Sequence, residues 1–249
     1  MGISKSIKKK AVVLIPLSGG LDSTFVAYQA LKDGYTILPI YMTISNTNIS
    51  KHTIERQQSK RIHSLLKKEF KSLVLDLQEF EGDRSNGVTQ FDIWTNIIRN
   101  NVDLNSVNFI FLGPTKSDID SCSMADMERR LEYANLSLEN KVRFPALGFT
   151  KNDIGKILPI QYQEEVYTCE MPLYSKSHND SINVDQCGVC NACHLHKMNK
   201  MTLAGPFKLN HKITDQEINE NNQDHYKYIE YSNFYGQQDG VPQKQFALV

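Results

Sequence analysis

Neither G-x-x-x-x-G-K-[ST] nor G-x-G-x-x-G occurs in this 249-residue chain. The first absence excludes a Walker loop, and the second argues against a dinucleotide fold. Charge of either sign is not in excess, since 28 Lys and Arg balance 28 Asp and Glu. No global field therefore advertises nucleic acid or a membrane surface as a partner. The one basic cluster, Lys5 with Lys8, Lys9 and Lys10, reads as a solvated arm before the first strand. No apolar run approaches the length that crosses a bilayer, and no signal-type apolar segment follows Met1. The expectation is a cytoplasmic protein with reduced thiols, so that clustered members of its five cysteines bind metal rather than form disulfides. No internal repeat is present.

What the chain does have is Ser18-Gly-Gly-Leu-Asp-Ser23 between two apolar segments. Ala11–Ile15 reads as a buried strand, and Phe25, Val26, Tyr28, Ala30 and Leu31 recur as on a helix. A strand, a Gly-rich turn and a helix N-terminus together form a phosphate cradle. Glycines let the backbone approach the anion, free N–H groups point at it, and the helix dipole favours negative charge. Ser18 and Ser23 add hydroxyl donors, and Asp22 is placed to hold Mg2+ bridging phosphates. The hexapeptide resembles the PP-loop of ATP pyrophosphatases, which cleave ATP between the α and β phosphates.

Strands alternate with helices along the first 112 residues. Strands are expected over Ala11–Leu17, Thr36–Met42, Ser72–Leu77 and Asn108–Leu112. Helices are expected over Ser23–Asp33, about Thr53–Phe70 and Phe91–Asn100, with loops at Ser45–Ser50 and over 79–90. This pattern predicts an α/β fold with a doubly wound parallel sheet. Ligands then bind beyond the carboxyl ends of the strands, which brings Ser18–Ser23, Met42–Asn48 and Gly113–Asp118 to one edge. Three parts are expected: 1–160 carrying the ATP site, 161–204 a small zinc-binding helical region, and 205–249 a polar, Tyr-rich arm or tail. In the arm, His225–Tyr231 alternates tyrosines with polar residues as an exposed strand does.

Cys187, Cys190 and Cys193 stand at three-residue spacing, with Cys169 upstream. A C-x-x-C turn closes two thiolates on one ion, the third cysteine returns a helical turn later, and a fourth completes a tetrahedral Zn2+ site. An iron–sulfur cluster is the competing reading, and His194 or His196 could stand in for Cys169. Cys122 is isolated and reads as a packed thiol.

Together these motifs resemble the 7-cyano-7-deazaguanine synthase family (QueC) within the PP-loop ATP pyrophosphatases, from about Ala11 to Met198. Ser18, Gly19, Gly20, Leu21, Asp22 and Ser23 match its loop. Phe109–Gly113 with Asp118 looks like its strand–Gly–x4–Asp element. Phe144–Ile154 is similar to its P-L-x3-T-K-x-E-I segment, which makes Lys151 the candidate for a phosphate contact. Thr168-Cys169 and Cys187, Cys190 and Cys193 resemble its zinc ligands. Departures lie between the two ends. Ile44–His52 lacks the Tyr-Gly-Gln-Arg-His-like stretch, and Val88–Ile93 replaces a Pro-Ala-Arg-Asn-like segment. Asp120–Ser123 lacks the arginine of an Asp-Cys-Arg element, and a polar insert lengthens the Cys169–Cys187 gap. A missing arginine removes a bidentate carboxylate clamp.

The resemblance implies adenylation of a carboxylate by ATP, with Asp22, Ser23 and Lys151 at the chemistry. Ser18–Ser23, Gly113 and Asp118 would hold the nucleotide, Mg2+ and Zn2+ would be cofactors, and the substrate would be a small deazaguanine-type acid. A homodimer is also expected. The alternative is transfer of the activated acid to another amine, such as a protein, as in relatives from antiviral defence operons. A tRNA-modifying PP-loop protein predicts a basic face and usually a catalytic cysteine pair, whereas the net charge here is zero and the cysteine knuckle reads as structural. Locally, Asp118 can instead cap a helix, Lys151 can pair with Asp153, and Lys116 can take the phosphate contact.

Overall fold

Val13, Leu14 and Ile15 are all buried, yet they face two different cores. That is what a strand with helices on both sides requires. In the computed structural model, the described residues are 11–45, 49–83, 90–120, 129, 132–134, 137–176, 181–198, 203–209, 214–216, 218–219 and 222–223. Among them β1 (Val12–Pro16) leads to α1 (Leu21–Lys32), β2 (Thr36–Ser45) and α2 (Ile49–Phe70). Next come β3 (Gln78–Asp83), α3 (Gln90–Asn101), β4 (Phe109–Phe111), α4 (Lys116–Asp120) and β5 (Val142–Arg143). The five strands form one sheet in the order β3-β2-β1-β4-β5, with every pairing parallel.

Val13 and Ile15 pack with Phe25, Val26 and Leu31 of α1 and Ile62 and Leu66 of α2. On the other face, Leu14, Ile40, Met42 and Ile44 pack with Ile93, Ile97 and Ile98 of α3. The expected doubly wound sheet is therefore present. α1 ends in a Schellman motif, with Tyr35 N–H bonded to Ala30 O and Gly34 N–H to Leu31 O, and Gly34 at φ +87°. α2 is 22 residues long and so spans about 33 Å. Its C-terminal half serves the parallel sheet, while Ile54 enters a third core.

That third core belongs to the C-terminal region. After α5 (Lys151–Ile157) and α6 (Ile160–Gln163), the antiparallel strands β6 (Leu173–Lys176), β7 (Ile182–Asp185) and β8 (Phe207–Leu209) form a sheet with β7 in the middle. α7 (Asn191–Met198) carries the last cysteine. Among the described residues, the region expected to be helical therefore holds a small sheet beside α7. The polar insert between Cys169 and Cys187 supplies the β6–β7 pair, whose inward residues Tyr174, Ile182 and Val184 are buried. The beginning of the expected arm joins this sheet as β8, and Asn222 caps its edge, bonding to Tyr174 N and O at 3.3 and 3.1 Å.

Two further expectations need correction. The third strand lies at Gln78–Asp83, inside the stretch read as a loop. Ser72–Leu77 offers only a single 3-10 turn and one bridge, Ile37 to Val74. β3 is an edge strand whose polar residues are largely exposed, and six register pairs with β2 set its position over propensity. α2 begins at Ile49, inside the expected Ser45–Ser50 loop. Cys122, Ser121, Ser123 and His225–Tyr231 lie outside the described residues.

Candidate active site and cysteine cluster

β1 hands the chain to the loop where Leu17 N–H bonds Ile40 O. Gly19 follows at φ +78°, and a Cβ there would stand 2.6 Å from Ser59 N and 2.8 Å from Gln58 C, both backbone atoms of α2. Glycine is required twice over, by conformation and by space. Gly20 is the N-cap of α1 and provides no side-chain cap, and Leu21 is fully buried and pins the first turn. Ser18 Oγ accepts from Gly20 N–H at 3.3 Å and lies 3.1 Å from Ser23 Oγ, which also donates to Gly20 O. Gly113, just past β4, lies against the start of α1, where its Cβ would make an ordinary 3.5 Å contact with Asp22.

Lys151 closes this arrangement from far along the chain. A capping box between Thr150 and Asp153 starts α5, and Ser117 Oγ accepts from Lys151 N–H at 3.1 Å. The buried Lys151 Nζ then reaches Asp22 Oδ2 at 2.6 Å and Asp118 Oδ1 at 3.4 Å. Asp118 also turns its other oxygen to Thr115 N–H and Oγ1, at 2.9 and 2.7 Å. It therefore serves as a helix cap and a Lys151 partner at once. Asp153 serves the cap of α5 while Lys151 pairs with Asp22 and Asp118, and Lys116 is exposed.

Burial is the largest influence on Asp22 and raises its pKa from 3.8 to about 6; Lys151 opposes this and Asp118 adds to it. Burial pulls the Lys151 pKa down, but Asp22 and Asp118 outweigh it and leave the ammonium above its ordinary value. Asp22 Oδ1 is closed off from solvent and has no hydrogen-bond partner, an acceptor of the kind a hard cation takes.

Several polar groups here belong to no motif in the sequence. Gln58 is fully buried beside Gly19 with both amide atoms unpartnered, as is Thr24 Oγ1. A signal for Gln58 was present, because it interrupts the stripe Ile54, Ile62 and Leu66 at the i+4 position. His196, on α7, is buried with Nε2 unpartnered. Its pKa falls to about 4 through burial first and the Lys151 charge second.

Cys169, Cys187, Cys190 and Cys193 bring their sulfurs within 4.8 Å of one another, and neither His194 nor His196 belongs to the group. One ion about 2.3 Å from each of four tetrahedral sulfurs separates them by about 3.8 Å. Cys169 and Cys190 lie 3.9 Å apart, so the donor set fits a single Zn2+ more closely than a multi-iron cluster. Backbone N–H groups of Met171, Cys187, Glu170, Cys190 and Val189 point at three of the sulfurs at 3.2–3.4 Å, as suits thiolates.

Residues 10–111 match the family model described as Queuosine biosynthesis protein QueC. Over that stretch the chain is QueC-like. The QueC match takes in Ser18–Ser23 and ends before Gly113, Asp118, Lys151 and the four cysteines. Among curated proteins there is no match. Among solved structures, PH1313 from Pyrococcus horikoshii OT3 aligns at 14% identity with a TM-score of 0.39, covering 59% of this chain and 40% of that one. A protein described as a predicted subunit of tRNA methyltransferase from Methanocaldococcus jannaschii aligns at 12% identity with a TM-score of 0.36, covering 77% of this chain and 90% of that one. Among the described residues no helix is long and apolar enough to cross a membrane.

Proposed function

We propose that the chain uses ATP to adenylate a carboxylic acid with release of pyrophosphate, as in the conversion of 7-carboxy-7-deazaguanine to 7-cyano-7-deazaguanine. The observation that carries this reading is the convergence of Lys151 on Asp22, 129 residues away, at the mouth of the Ser18–Ser23 turn. Match to a queuosine-biosynthesis family over the loop supports the substrate class. In this assignment 1–160 is the ATP-using part, 161–204 the zinc-binding part, and 205–249 an arm whose Phe207–Leu209 completes the small sheet.

The Gly19–Ser23 backbone and the Ser18 and Ser23 hydroxyls cradle the phosphates, with Gly113 and Asp118 forming the opposite wall. Lys151, held at rest by two carboxylates, turns its charge to the triphosphate. A carboxylate oxygen of the substrate attacks the α-phosphorus, the α–β bridging P–O bond breaks, and pyrophosphate leaves. Ammonia then attacks the acyl carbon, loses a proton, and AMP departs, giving the amide. A second adenylation on the amide oxygen lets that oxygen leave with AMP as two N–H protons are lost, which yields the nitrile. Catalysis is positioning and charge neutralisation, and no nucleophilic side chain is needed. Asp22 would hold Mg2+, which would supply charge compensation for the departing pyrophosphate. Cys169, Cys187, Cys190 and Cys193 would hold Zn2+ as a four-thiolate set, which would make that ion structural.

The test is incubation with 7-carboxy-7-deazaguanine, ATP, Mg2+ and ammonium, read by pyrophosphate release and mass spectrometry. The expected result is pyrophosphate and the nitrile, with Lys151→Met slowing release about 10²–10³-fold. No pyrophosphate from any added acid would end the adenylation reading. Pyrophosphate without nitrile would favour the second reading, transfer to another amine such as a protein, which the Asp120–Ser123 segment without its arginine favours.

A further inference from the structure

Cys169 stands two residues beyond Tyr167, and Tyr167 touches the nucleotide loop. Its N–H donates to Gly19 O at 2.9 Å, and its carbonyl would meet a Cβ on Gly20 at 3.3 Å. Tyr167 is itself buried, its ring edge-on to Phe207 of β8. Between Tyr167 and Cys169, Thr168 is clasped by one side chain: Gln186 Oε1 accepts from Thr168 N–H at 3.1 Å and from its hydroxyl at 3.0 Å. Gln186 Nε2 donates to Ala204 O at 2.9 Å. The next residue is Cys187, whose N–H donates to Cys169 Sγ at 3.2 Å.

A second connection leaves the cluster on the other side. Cys193 and His196 lie one turn apart on α7, which packs on α5. α5 begins with Lys151, the residue that reaches Asp22. The four sulfurs therefore tie to two elements that contact the turn, Tyr167 at Gly19 and Lys151 at Asp22.

We propose that metal binding at the four cysteines and nucleotide binding at Ser18–Ser23 are thermodynamically coupled through Tyr167–Cys169, with Gln186 as the positioning residue. This rests on the nucleotide reading above. With metal bound, Cys169 is fixed and the Tyr167 N–H is aimed at Gly19 O. Without it, Cys169 loses its strongest anchor, the segment rests on the Gln186 clasp, the Tyr167 ring and the N–H···S contacts, and more of the loop's order must be recovered before it can cradle phosphates. Coupling of this kind is reciprocal, so nucleotide must tighten metal by the same factor.

The experiment uses the full chain loaded with zinc, the non-cleavable analogue α,β-methylene-ATP measured by calorimetry, and zinc affinity measured against a chromophoric chelator. In the wild type, zinc is expected to tighten the analogue about fivefold or more, and saturating analogue to tighten zinc equally. Gln186→Leu is expected to keep its zinc while weakening the analogue and losing the mutual effect. Gln186→Glu, whose carboxylate still accepts from both Thr168 donors, is expected to restore most of it. Equal affinity for the analogue with and without zinc, or wild-type coupling in Gln186→Leu, overturns the proposal. A wild type that binds no analogue in either metal state overturns the nucleotide reading, and the coupling with it.

Discussion

Gly19→Ala tests the loop most directly, because the structure states what the added methyl would meet. At φ +78° an L-residue is strained by about 1–2 kcal/mol. The methyl also lies 2.6 Å from Ser59 N and 2.8 Å from Gln58 C, and backbone of a buried helix cannot swing aside as a side-chain tip can. Overpacking of this kind adds about 1–3 kcal/mol, for a total of about 2–5 kcal/mol. A chain of 249 residues unfolds with an entropy of about 0.5 kcal/mol/K, so Tm should fall by about 4–10 °C. Gly34→Ala is the matched control. Its φ is +87° but nothing lies within 4 Å of a Cβ, so it carries the conformational strain alone, about 2–4 °C. Calorimetric or dichroism melts of the two variants isolate the steric part, and titration with α,β-methylene-ATP should show binding lost only in Gly19→Ala. Equal Tm losses in the two variants would refute the close approach of loop and α2.

Three other outcomes are expected. Because burial raises the Asp22 pKa from 3.8 to about 6, the folded ligand-free chain favours the protonated acid. The resulting stability is present below pH 3.8 and lost as pH rises through 6, by about 3 kcal/mol. Urea unfolding across pH 4–7 should therefore show the wild type losing ground to Asp22→Asn, and parallel pH profiles would contradict this. Gln58→Leu removes two buried, unpartnered amide atoms and should stabilise the chain by about 1–3 kcal/mol in thermal unfolding, whereas a net loss would mean the amide is paired. Cys169→Ser should abolish the zinc content measured by elemental analysis and expose the third core to dye; retention of full zinc would exclude Cys169 as a ligand.

Much of the site was legible because its signals are local. Ser18–Ser23 announces itself by composition between an apolar strand and an apolar-periodic helix, and Cys187, Cys190 and Cys193 do so by spacing. β3 carries no apolar run because it is an edge strand: Gln78, Glu79 and Glu81 are exposed, and pairing with β2 decides their conformation. The β6–β7 pair was hidden for a similar reason, since only Tyr174, Ile182 and Val184 turn inward and the rest of the insert is polar. Lys151 was found as a candidate through resemblance, yet its partner could not be. Asp153, two residues away, is the partner that the sequence offers, and the capping box at Thr150 occupies it.

The strand–turn–helix loop and the C-x-x-C-x-x-C knuckle are written in the local sequence, because both are closed by contacts within one or two turns of backbone. Tertiary structure alone decided that Lys151 meets Asp22 and that Cys169 completes the sulfur cluster. It also decided that Tyr167 joins the cluster to the glycine loop. Those contacts span 129, 21 and 148 residues, and their geometry depends on how the parallel sheet and the small antiparallel sheet pack around α2, which no local periodicity encodes.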